Sequence, residues 1–493
     1  MSAIQDEYDL IIIGAGPAGL TAAIEAQNLG KRVLVLESDN QVGGISRTVL
    51  QDGYRFDLGG HRFFTKVIRV KEFWESVLEP GDFLTRPRKS RIFYNDKFYD
   101  YPLKPLNALF NLGIIESIRC ILSYLWARIN PPKNQENFEG WVAARFGWRL
   151  YRIFFKTYTE KVWGVPATAI QSDWAAQRIK NLSLFKAILN AFGFGKRKMD
   201  ITTLIDSFKY PRLGPGMLWE KCAEMIQERG GIILFSSEVT NITKLSNGFA
   251  LKTPLGVYKS LCVISTMPIN LLPSVLQCKN EKLLSASKLL RHRDFLIVAL
   301  VVDSGINFDD NWLYIHSSKV KIGRIQNFAS WSPEMVINGT NCLGLEYFVN
   351  EGDEVWNLPD EELIKFAKNE LSKLKLVNID FVTKGFVVRV PKAYPVYDEM
   401  YKESLEEIAG WIAHEYECLI PVGRNGMHRY NNQDHSMLTA MLAIENLFLG
   451  TKHDLWKVNV ENEYHEEIES TDNQGGRSAP NYINEKKVYD ILI

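Results

Sequence analysis

Three glycines near the start of the chain have the spacing of a dinucleotide-binding turn. Gly14, Gly16 and Gly19 follow an apolar run at 8–13, and Glu37 ends the next apolar run. In this pattern the first glycine permits a tight turn, the second lets backbone approach a pyrophosphate, and the third lets a helix pack closely on the strand. The helix N-terminus attracts the diphosphate, and the acid accepts hydrogen bonds from a ribose. The sequence therefore predicts a βαβ unit that binds a dinucleotide.

Two further glycine turns favour FAD over NAD as the dinucleotide. Each pairs glycines, whose backbone N–H groups can meet an anion, with a polar or charged side chain, and a domain that binds NAD alone needs just the first turn. The residues of these turns, which we predict to bind FAD, are Gly43, Gly44, Ser46, Arg47, Gly59, Gly60 and His61.

The strands and helices that must hold these turns in place predict an α/β fold, which is α+β when the whole chain is considered. A Rossmann-type FAD/NAD(P)-binding domain is joined to a helical insertion and to a second, antiparallel sheet whose strands are expected at 296–303, 312–315, 323–328 and 343–349. The expected division is 1–66, 230–275 and 415–450 for the FAD domain, 67–200 for the mostly helical insertion, 201–229 and 276–414 for the substrate-side sheet domain, and 451–493 for a C-terminal tail.

Composition excludes several classes of partner. Of 493 residues, 58 are Lys or Arg and 58 are Asp or Glu, which leaves no basic footprint for nucleic acid. The six cysteines show no C-x-x-C spacing, so no metal site is expected and a reducing cytoplasm is favoured.

No signal peptide is indicated. The apolar stretch 106–126 is broken by polar residues, so we predict an amphipathic helix on a core rather than a transmembrane segment, with peripheral membrane contact left open.

Several sequence blocks resemble known families. The segments Gly-Gly-Ile-Ser-Arg at 43–47 and Asp-Leu-Gly-Gly-His at 57–61 are similar to the flavin-binding segments of the amine oxidase and protoporphyrinogen oxidase superfamily. The blocks at 158–164, 311–314, 328–333 and 423–436 resemble UDP-galactopyranose mutases, in the same order along the chain. The resemblance spans residues 8 to about 450, with patchy agreement in the helical insertion.

The resemblance implies roles for individual residues. His61 would lie against the flavin ring, and with Arg324 and Arg424 it forms the catalytic set. Further cofactor-binding residues would be Val239, at the adenine, and Gly423, Arg424, Asn432, Gln433, Asp434 and Ser436, at the flavin. The substrate-binding residues would be Trp163, Lys209, Trp312, Tyr314, Arg324, Tyr394 and Tyr430, of which Tyr314, Arg324, Tyr394 and Tyr430 meet a pyrophosphate.

The chain also departs from the mutase pattern on the substrate side. Lys209 stands where those mutases carry an arginine, and His428 stands where an aromatic residue is expected. Lysine is a point charge and lacks the planar fork that arginine offers to a phosphate. These differences leave the sugar nucleotide and the reaction type open.

The predicted function follows from the resemblance. Reduced FAD would attack the anomeric carbon of a nucleotide sugar through N5, and the sugar would return as a furanose for surface polysaccharide synthesis, with NAD(P)H as a candidate reductant. The alternative is an FAD-dependent oxidoreductase that acts on an amine or an apolar substrate. A third hypothesis, a carrier that binds no flavin, leaves the intact Glu37 and glycine turns unexplained.

Overall fold

The computed structural model describes residues 7–101, 103, 105–172, 203–204, 206–459 and 467–468. Two seven-stranded sheets, three two-stranded sheets and a group of helices make up these residues. The strands are β1 (Glu7–Ile13), β2 (Val33–Leu36), β3 (Thr48–Gln51), β4 (Tyr54–Asp57), β5 (Phe83–Pro87), β6 (Ser90–Tyr94), β7 (Lys97–Asp100), β8 (Thr203–Leu204), β9 (Ser207–Pro211), β10 (Ile232–Leu234), β11 (Asn241–Lys244), β12 (Phe249–Thr253), β13 (Gly256–Ser265), β14 (His292–Val302), β15 (Trp312–Ile315), β16 (Arg324–Asn327), β17 (Asn341–Val349), β18 (Val382–Pro395), β19 (Leu419–Pro421) and β20 (Glu467–Ile468).

The α-helices lie mainly on the faces of the sheets and in one insertion. They are α1 (Pro17–Asn28), α2 (Ile68–Val77), α3 (Pro105–Leu112), α4 (Ile114–Ile129), α5 (Phe138–Phe146), α6 (Trp148–Tyr151), α7 (Thr157–Trp163), α8 (Gly216–Glu228), α9 (Leu272–Val275), α10 (Glu281–Leu289), α11 (Phe328–Trp331), α12 (Glu354–Asn357), α13 (Asp360–Leu374), α14 (Tyr401–Glu415) and α15 (Gln433–Phe448).

The first sheet is the predicted Rossmann-type unit. Its strand order is β10-β2-β1-β13-β12-β11, and β19 pairs in parallel with the end of β13. The strands β10, β2, β1 and β13 run parallel, with Leu10 opposite both Val33 and Cys262. Their near-continuous apolar sequences are explained by burial on both faces, between α1, α8 and α15 on one side and α10 and α14 on the other.

The second sheet confirms the predicted antiparallel strands. Its order is β18-β14-β17-β16-β15-β6-β7, in which β15 pairs with β6 in parallel and the other neighbours run antiparallel. Helix α13 covers one face with Leu363, Ala367, Leu371 and Leu374. The hairpin β3–β4 contributes Tyr54 and Phe56 to an aromatic core that the second sheet shares with β9 and α11.

Four segments pack differently from the expected division of the chain, namely the strands of the insertion, α8, α10 and α14. The expected helical insertion contains β6 and β7, which extend the second sheet, and β5, which pairs with β9. Helix α8, expected with the second sheet, buries Leu218, Trp219 and Ile226 against the first. Helices α10 and α14 do the same from the other face. In each case an apolar stripe determines the packing, whereas the division was drawn from chain order.

The rest of the insertion is helical as predicted. Helices α3 to α7, with a π-helical stretch at Arg152–Lys156, surround a core that includes Phe138, Val142, Phe154 and Trp163. Residues 173–200 of the insertion lie outside the described residues, as does most of the predicted tail. Among the helices of the described residues, none has the length and apolar content that a bilayer crossing requires.

Candidate functional site

The turn between β1 and α1 uses its three glycines in two ways. A Cβ on Gly14, whose φ is +95°, would lie 2.1 Å from the Thr266 hydroxyl, and a Cβ on Gly19 would lie 1.9 Å from the Gly14 carbonyl oxygen. Those two glycines serve the protein's own packing. A Cβ on Gly16 would meet nothing closer than the Gly44 Cα at 3.8 Å. The space beside Gly16 is therefore open to a ligand at the N-terminus of α1.

Glu37 joins the end of β2 to this turn. Its buried carboxylate accepts hydrogen bonds from the Ala15 N–H at 2.6 Å and from the Asp39 N–H at 2.8 Å. Oε1 also accepts from the Ser38 hydroxyl at 3.2 Å, whereas Oε2 accepts from the Ala15 N–H and retains the acceptor capacity that a ribose contact requires. Val239 is buried close by in the same core as Leu34 and Leu36.

The second glycine turn lies opposite the first. Gly43 has a φ of +99° and precedes the 3₁₀ turn Gly44–Ser46, in which Ser46 is buried. The Gly43 N–H donates to the Ala15 carbonyl at 2.8 Å. Arg47 forms an ion pair with Asp39, so an acidic side chain already balances the cation predicted to meet the cofactor.

The turn before α15 contacts the first turn of α1. Gly423 has a φ of +82°, and a Cβ there would lie 3.0 Å from the Ala18 Cβ. Asn432 is the N-cap residue of α15, and Asp434 accepts a hydrogen bond from the Thr65 hydroxyl at 2.9 Å. The buried side-chain oxygen of Gln433 has no hydrogen-bond partner within the described part of the chain. Ser436 is buried on the same helix.

His61 stands between the cofactor-binding turns and the second sheet. Its Nε2 lies 3.2 Å from the Leu58 carbonyl oxygen, and burial lowers its pKa to about 4, assisted by the positive charges of Arg424 and Arg324. The imidazole is therefore neutral near pH 7. A Cβ on the adjacent Gly60 would lie 3.3 Å from the Gln326 amide and 3.4 Å from the Trp331 ring, so the loop is packed tightly against β16 and α11.

Two arginines, Arg324 and Arg424, lie beside the same pair of tyrosines, Tyr394 and Tyr430. Arg324 forms an ion pair with the fully buried Glu346 and donates to the Tyr394 hydroxyl at 3.0 Å. The Tyr394 and Tyr430 rings stack with centroids 5.7 Å apart. The Arg424 guanidinium lies 4.6 Å from the Tyr430 ring centroid. Both guanidiniums are thus held beside the same tyrosine pair, although they come from distant parts of the chain.

Aromatic side chains extend this cluster toward the helical insertion. Tyr314 lies 4.6 Å from Tyr101 and 5.6 Å from Tyr158, measured between ring centroids. Trp312 lies 6.1 Å from Tyr314, and Trp163 lies 6.2 Å from Tyr430. The structure therefore brings together six of the seven predicted substrate-binding residues, namely Trp163, Trp312, Tyr314, Arg324, Tyr394 and Tyr430.

Lys209 is the exception. Its ammonium group pairs with Glu75 at 3.0 Å, and half of the side chain is exposed. On the same strand Phe208 is buried 5.3 Å from Trp331, between ring centroids. Because side chains alternate across a strand, Lys209 points away from the cluster that its neighbours join. The alternation of apolar Phe208 and Tyr210 around Lys209 was the signal against this prediction.

Sequence reasoning missed Glu346 and Gln326. Glu346 accepts the Arg324 ion pair and also a hydrogen bond from the Gln326 amide at 2.7 Å. The one acid in the apolar strand β17 could have indicated a site residue, because a charged side chain in a buried strand needs a partner of opposite charge. Tyr158 was also missed as a site residue, although its block was noted.

Comparisons with known proteins agree with this architecture. Residues 12–77 match the model of an NAD(P)-binding Rossmann-like domain. The chain is 50% identical over 56 residues to an inactive all-trans-retinol 13,14-reductase of Danio rerio, a match that covers 11% of this chain and 9% of that protein. It is 30% identical over 136 residues to the Dictyostelium discoideum protein named "probable flavin-containing monoamine oxidase A", covering 26% and 28%. The matches thus span less than a third of each curated relative.

One solved structure shares almost the whole fold. A crystal structure of reduced UDP-galactopyranose mutase superimposes with a TM-score of 0.81 over 93% of this chain and 99% of that chain, at 22% sequence identity. The fold is therefore the one shared by FAD-dependent oxidoreductases and mutases. At this identity the superposition establishes the fold and leaves the reaction to the site residues.

Proposed function

We propose that this chain is an FAD-dependent enzyme that binds a nucleotide sugar by its diphosphate and interconverts the pyranose and furanose forms of the sugar. The observation that carries the proposal is the placement of both Arg324 and Arg424 beside the stacked Tyr394 and Tyr430. Two guanidiniums match the two phosphates of a diphosphate in charge, and tyrosine hydroxyls supply further hydrogen bonds.

The residues around the N-terminus of α1 fit FAD. Gly16 and Gly44 would take the pyrophosphate, Glu37 the ribose, and Gln433 with the N-terminus of α15 the flavin ring. The open space at Gly16 and the unsatisfied oxygen of Gln433, within the described residues, support this assignment. When bound in its reduced form, the flavin would supply the nucleophile of the reaction.

The side chains of the cluster would hold and stabilise the leaving diphosphate. Glu346 fixes the Arg324 guanidinium in one orientation, and Gln326 fixes Glu346. A cation fixed before the reaction stabilises developing negative charge without reorganisation. His61, neutral near pH 7, would orient the flavin ring through its imidazole without adding to the positive charges of Arg324 and Arg424.

The aromatic wall would keep the sugar close while its ring is open. Tyr101, Tyr158, Tyr314 and Trp163 border the arginine cluster on the side of the helical insertion. A sugar confined against such a wall can reclose and be recaptured by the same diphosphate. We propose that the furanose product serves surface polysaccharide synthesis, and that NAD(P)H supplies the electrons.

An FAD-dependent oxidoreductase is the second candidate. The names of the curated relatives favour it, since they are a retinol reductase and an amine oxidase. The matched segments are short, however, and one of them covers just 11% of the chain. An amine or apolar substrate would use the aromatic wall but would leave Arg324 and Arg424 without a ligand.

An anaerobic turnover assay distinguishes the two candidates. Dithionite-reduced protein is offered UDP-, GDP- and dTDP-sugars in pyranose and furanose forms, and products are separated by chromatography. Interconversion of one sugar without net flavin oxidation is the expected result. Two results together would overturn the mutase proposal. The first is the absence of both conversion and binding across the sugar panel. The second is reoxidation of the dithionite-reduced flavin by retinoid-type substrates, or reduction of the oxidised flavin by amines.

A further inference from the structure

Helix α4 presents an unusually apolar face to solvent. Seven large side chains on it are between 47% and 80% exposed. With 3.6 residues per turn they fall within an arc of about 120° around the helix axis. They are Ile114, Ile115, Ile118, Leu122, Leu125, Trp126 and Ile129. On the preceding helix Phe110 is 83% exposed as well. Single exposed apolar side chains are ordinary, but a continuous face of this size marks an interaction surface.

The opposite side of α4 is already used for packing. Ser117, Cys120, Tyr124 and Ala127 are buried there, against the core of the helical insertion. The helix is therefore anchored by small and polar residues while its largest apolar residues face outward. This is the reverse of the usual arrangement on a globular core, so the packing of the insertion does not explain the exposed face.

Positive charges border the exposed face. Arg119 and Arg128 lie roughly 20° and 40° beyond its two edges, and Lys133 follows the helix. All three are exposed. The single acid of the helix, Glu116, is turned away from the apolar arc, pairs with Arg149 and also lies 3.5 Å from the Arg119 guanidinium. The face thus combines an apolar centre with a cationic border, in a chain whose formal net charge is zero.

We propose that this face binds the surface of an anionic phospholipid membrane, with α4 lying in the plane of the interface. The apolar arc would enter the boundary between headgroups and acyl chains, and Arg119, Arg128 and Lys133 would meet lipid phosphates. Trp126, at the edge of the arc, would occupy the headgroup level that tryptophan prefers. A helix of 16 residues is about 24 Å long, which suits lying on a bilayer rather than crossing it.

Vesicle flotation with the full chain tests this proposal. The probes are vesicles of phosphatidylcholine alone and vesicles that also contain phosphatidylserine. We expect flotation with the phosphatidylserine vesicles and release at high salt. Leu122→Gln should abolish flotation, whereas Leu255→Gln, a change at an equally exposed leucine in the turn between β12 and β13, should leave it unchanged. Flavin content and thermal midpoint, measured on each variant, show whether it is folded.

A charge series separates the lipid contact from a protein contact. Each cation near an anionic surface contributes about 1 kcal/mol, so Arg119→Gln/Arg128→Gln should weaken binding roughly thirtyfold. The matched change Lys71→Gln/Lys288→Gln, at exposed lysines elsewhere, should have little effect. A dimer in sedimentation that Leu122→Gln dissociates, without any flotation, would assign the face to a second copy and overturn the proposal. Equal flotation of wild type and Leu122→Gln would overturn it too.

Discussion

At the scale of single residues, two glycines of one motif have different roles. The space beside Gly16 is open to a ligand, whereas Gly19 allows the helix to pack closely on the turn. We expect Gly16→Ala to fold normally, because its Cβ would meet nothing closer than 3.8 Å, yet to lose FAD affinity by about tenfold or more. Gly19→Ala should instead destabilise the protein by roughly 1–3 kcal/mol, because its Cβ would overlap the Gly14 carbonyl. Flavin absorbance and urea unfolding check the two effects. Equal loss of stability in both variants would contradict this division.

Arg324 and Lys209 give a second contrast at this scale. Arg324→Lys keeps the charge but loses the fork that Glu346 orients, so affinity for a nucleoside diphosphate should fall roughly ten- to hundredfold with the flavin retained. Lys209→Gln should leave that affinity unchanged, because the side chain points to solvent beside Glu75. Calorimetric titration of both variants with UDP tests this. A large effect of Lys209→Gln would contradict the geometry described here.

At the scale of elements, a buried carboxyl ties three segments together. Asp57, at the end of β4, accepts hydrogen bonds from the Tyr210 hydroxyl on β9 and from the Thr48 hydroxyl on β3. The Thr48 hydroxyl in turn accepts from the Gly216 N–H at the start of α8. Burial raises the pKa of Asp57 from 3.8 to about 7. The contacts of Asp57 therefore connect the β3–β4 hairpin to β9 directly and to α8 through Thr48.

This shift predicts how stability depends on pH. Because the folded pKa is raised, the protonated carboxyl favours the folded state. The stabilisation of the fold by the protonated Asp57 carboxyl is present in full below about pH 4 and is lost as the pH rises through about 7. Asp57→Asn should therefore lose less stability than wild type between pH 5 and pH 7.5, as measured by thermal or urea unfolding. Asp96→Asn, at an exposed turn, serves as the control and should keep the wild-type slope.

Local sequence patterns predicted the bounds of the helices and strands well. They did not predict which sheet each helix packs against. The run at 8–13, the glycine turn and Glu37 define β1, α1 and β2 almost to the residue, because each signal is contained within one βαβ unit. The assignment of α8 to the first sheet depends on Trp219 and Ile226 meeting α1 across the core. Nothing within that segment specifies the distant surface it packs against. Chain order was therefore a poor guide to packing.

The candidate site shows the same limit. The tyrosines and arginines were predicted one by one, from blocks that resemble known enzymes, and the structure brings them together. Glu346 could not be assigned in that way, because its role exists only through its contacts with Arg324 and Gln326. Lys209 was assigned to the site from its block, and the alternation of a single strand turns it outward.

At the scale of the whole molecule, the candidate site is assembled from segments far apart in the chain. The glycine turns come from the first sixty residues, Arg324 and Tyr394 come from the second sheet, Arg424 comes from the turn before α15, and Gln433 is the first residue of α15. Contacts run without a break from Gly60 through Gln326 and Glu346 to Arg324. A ligand that touches all of these segments must stabilise their mutual packing.

FAD binding should therefore raise the stability of the whole chain. A ligand that binds the native state alone adds RT ln(1 + [L]/Kd), which is about 2.7 kcal/mol at a hundred times Kd. We expect deflavinated wild-type protein to unfold at a lower temperature than the holoprotein, and added FAD to restore the midpoint. Gly16→Ala, which leaves the packing intact, should unfold near the midpoint of the deflavinated protein, and FAD at a hundred times the wild-type Kd should stabilise it by about 1.4 kcal/mol or less, because its affinity is tenfold or more weaker. If FAD raises the midpoint of the variant as far as that of wild type, the pyrophosphate does not lie at Gly16, and the cofactor must approach the sheet by another turn.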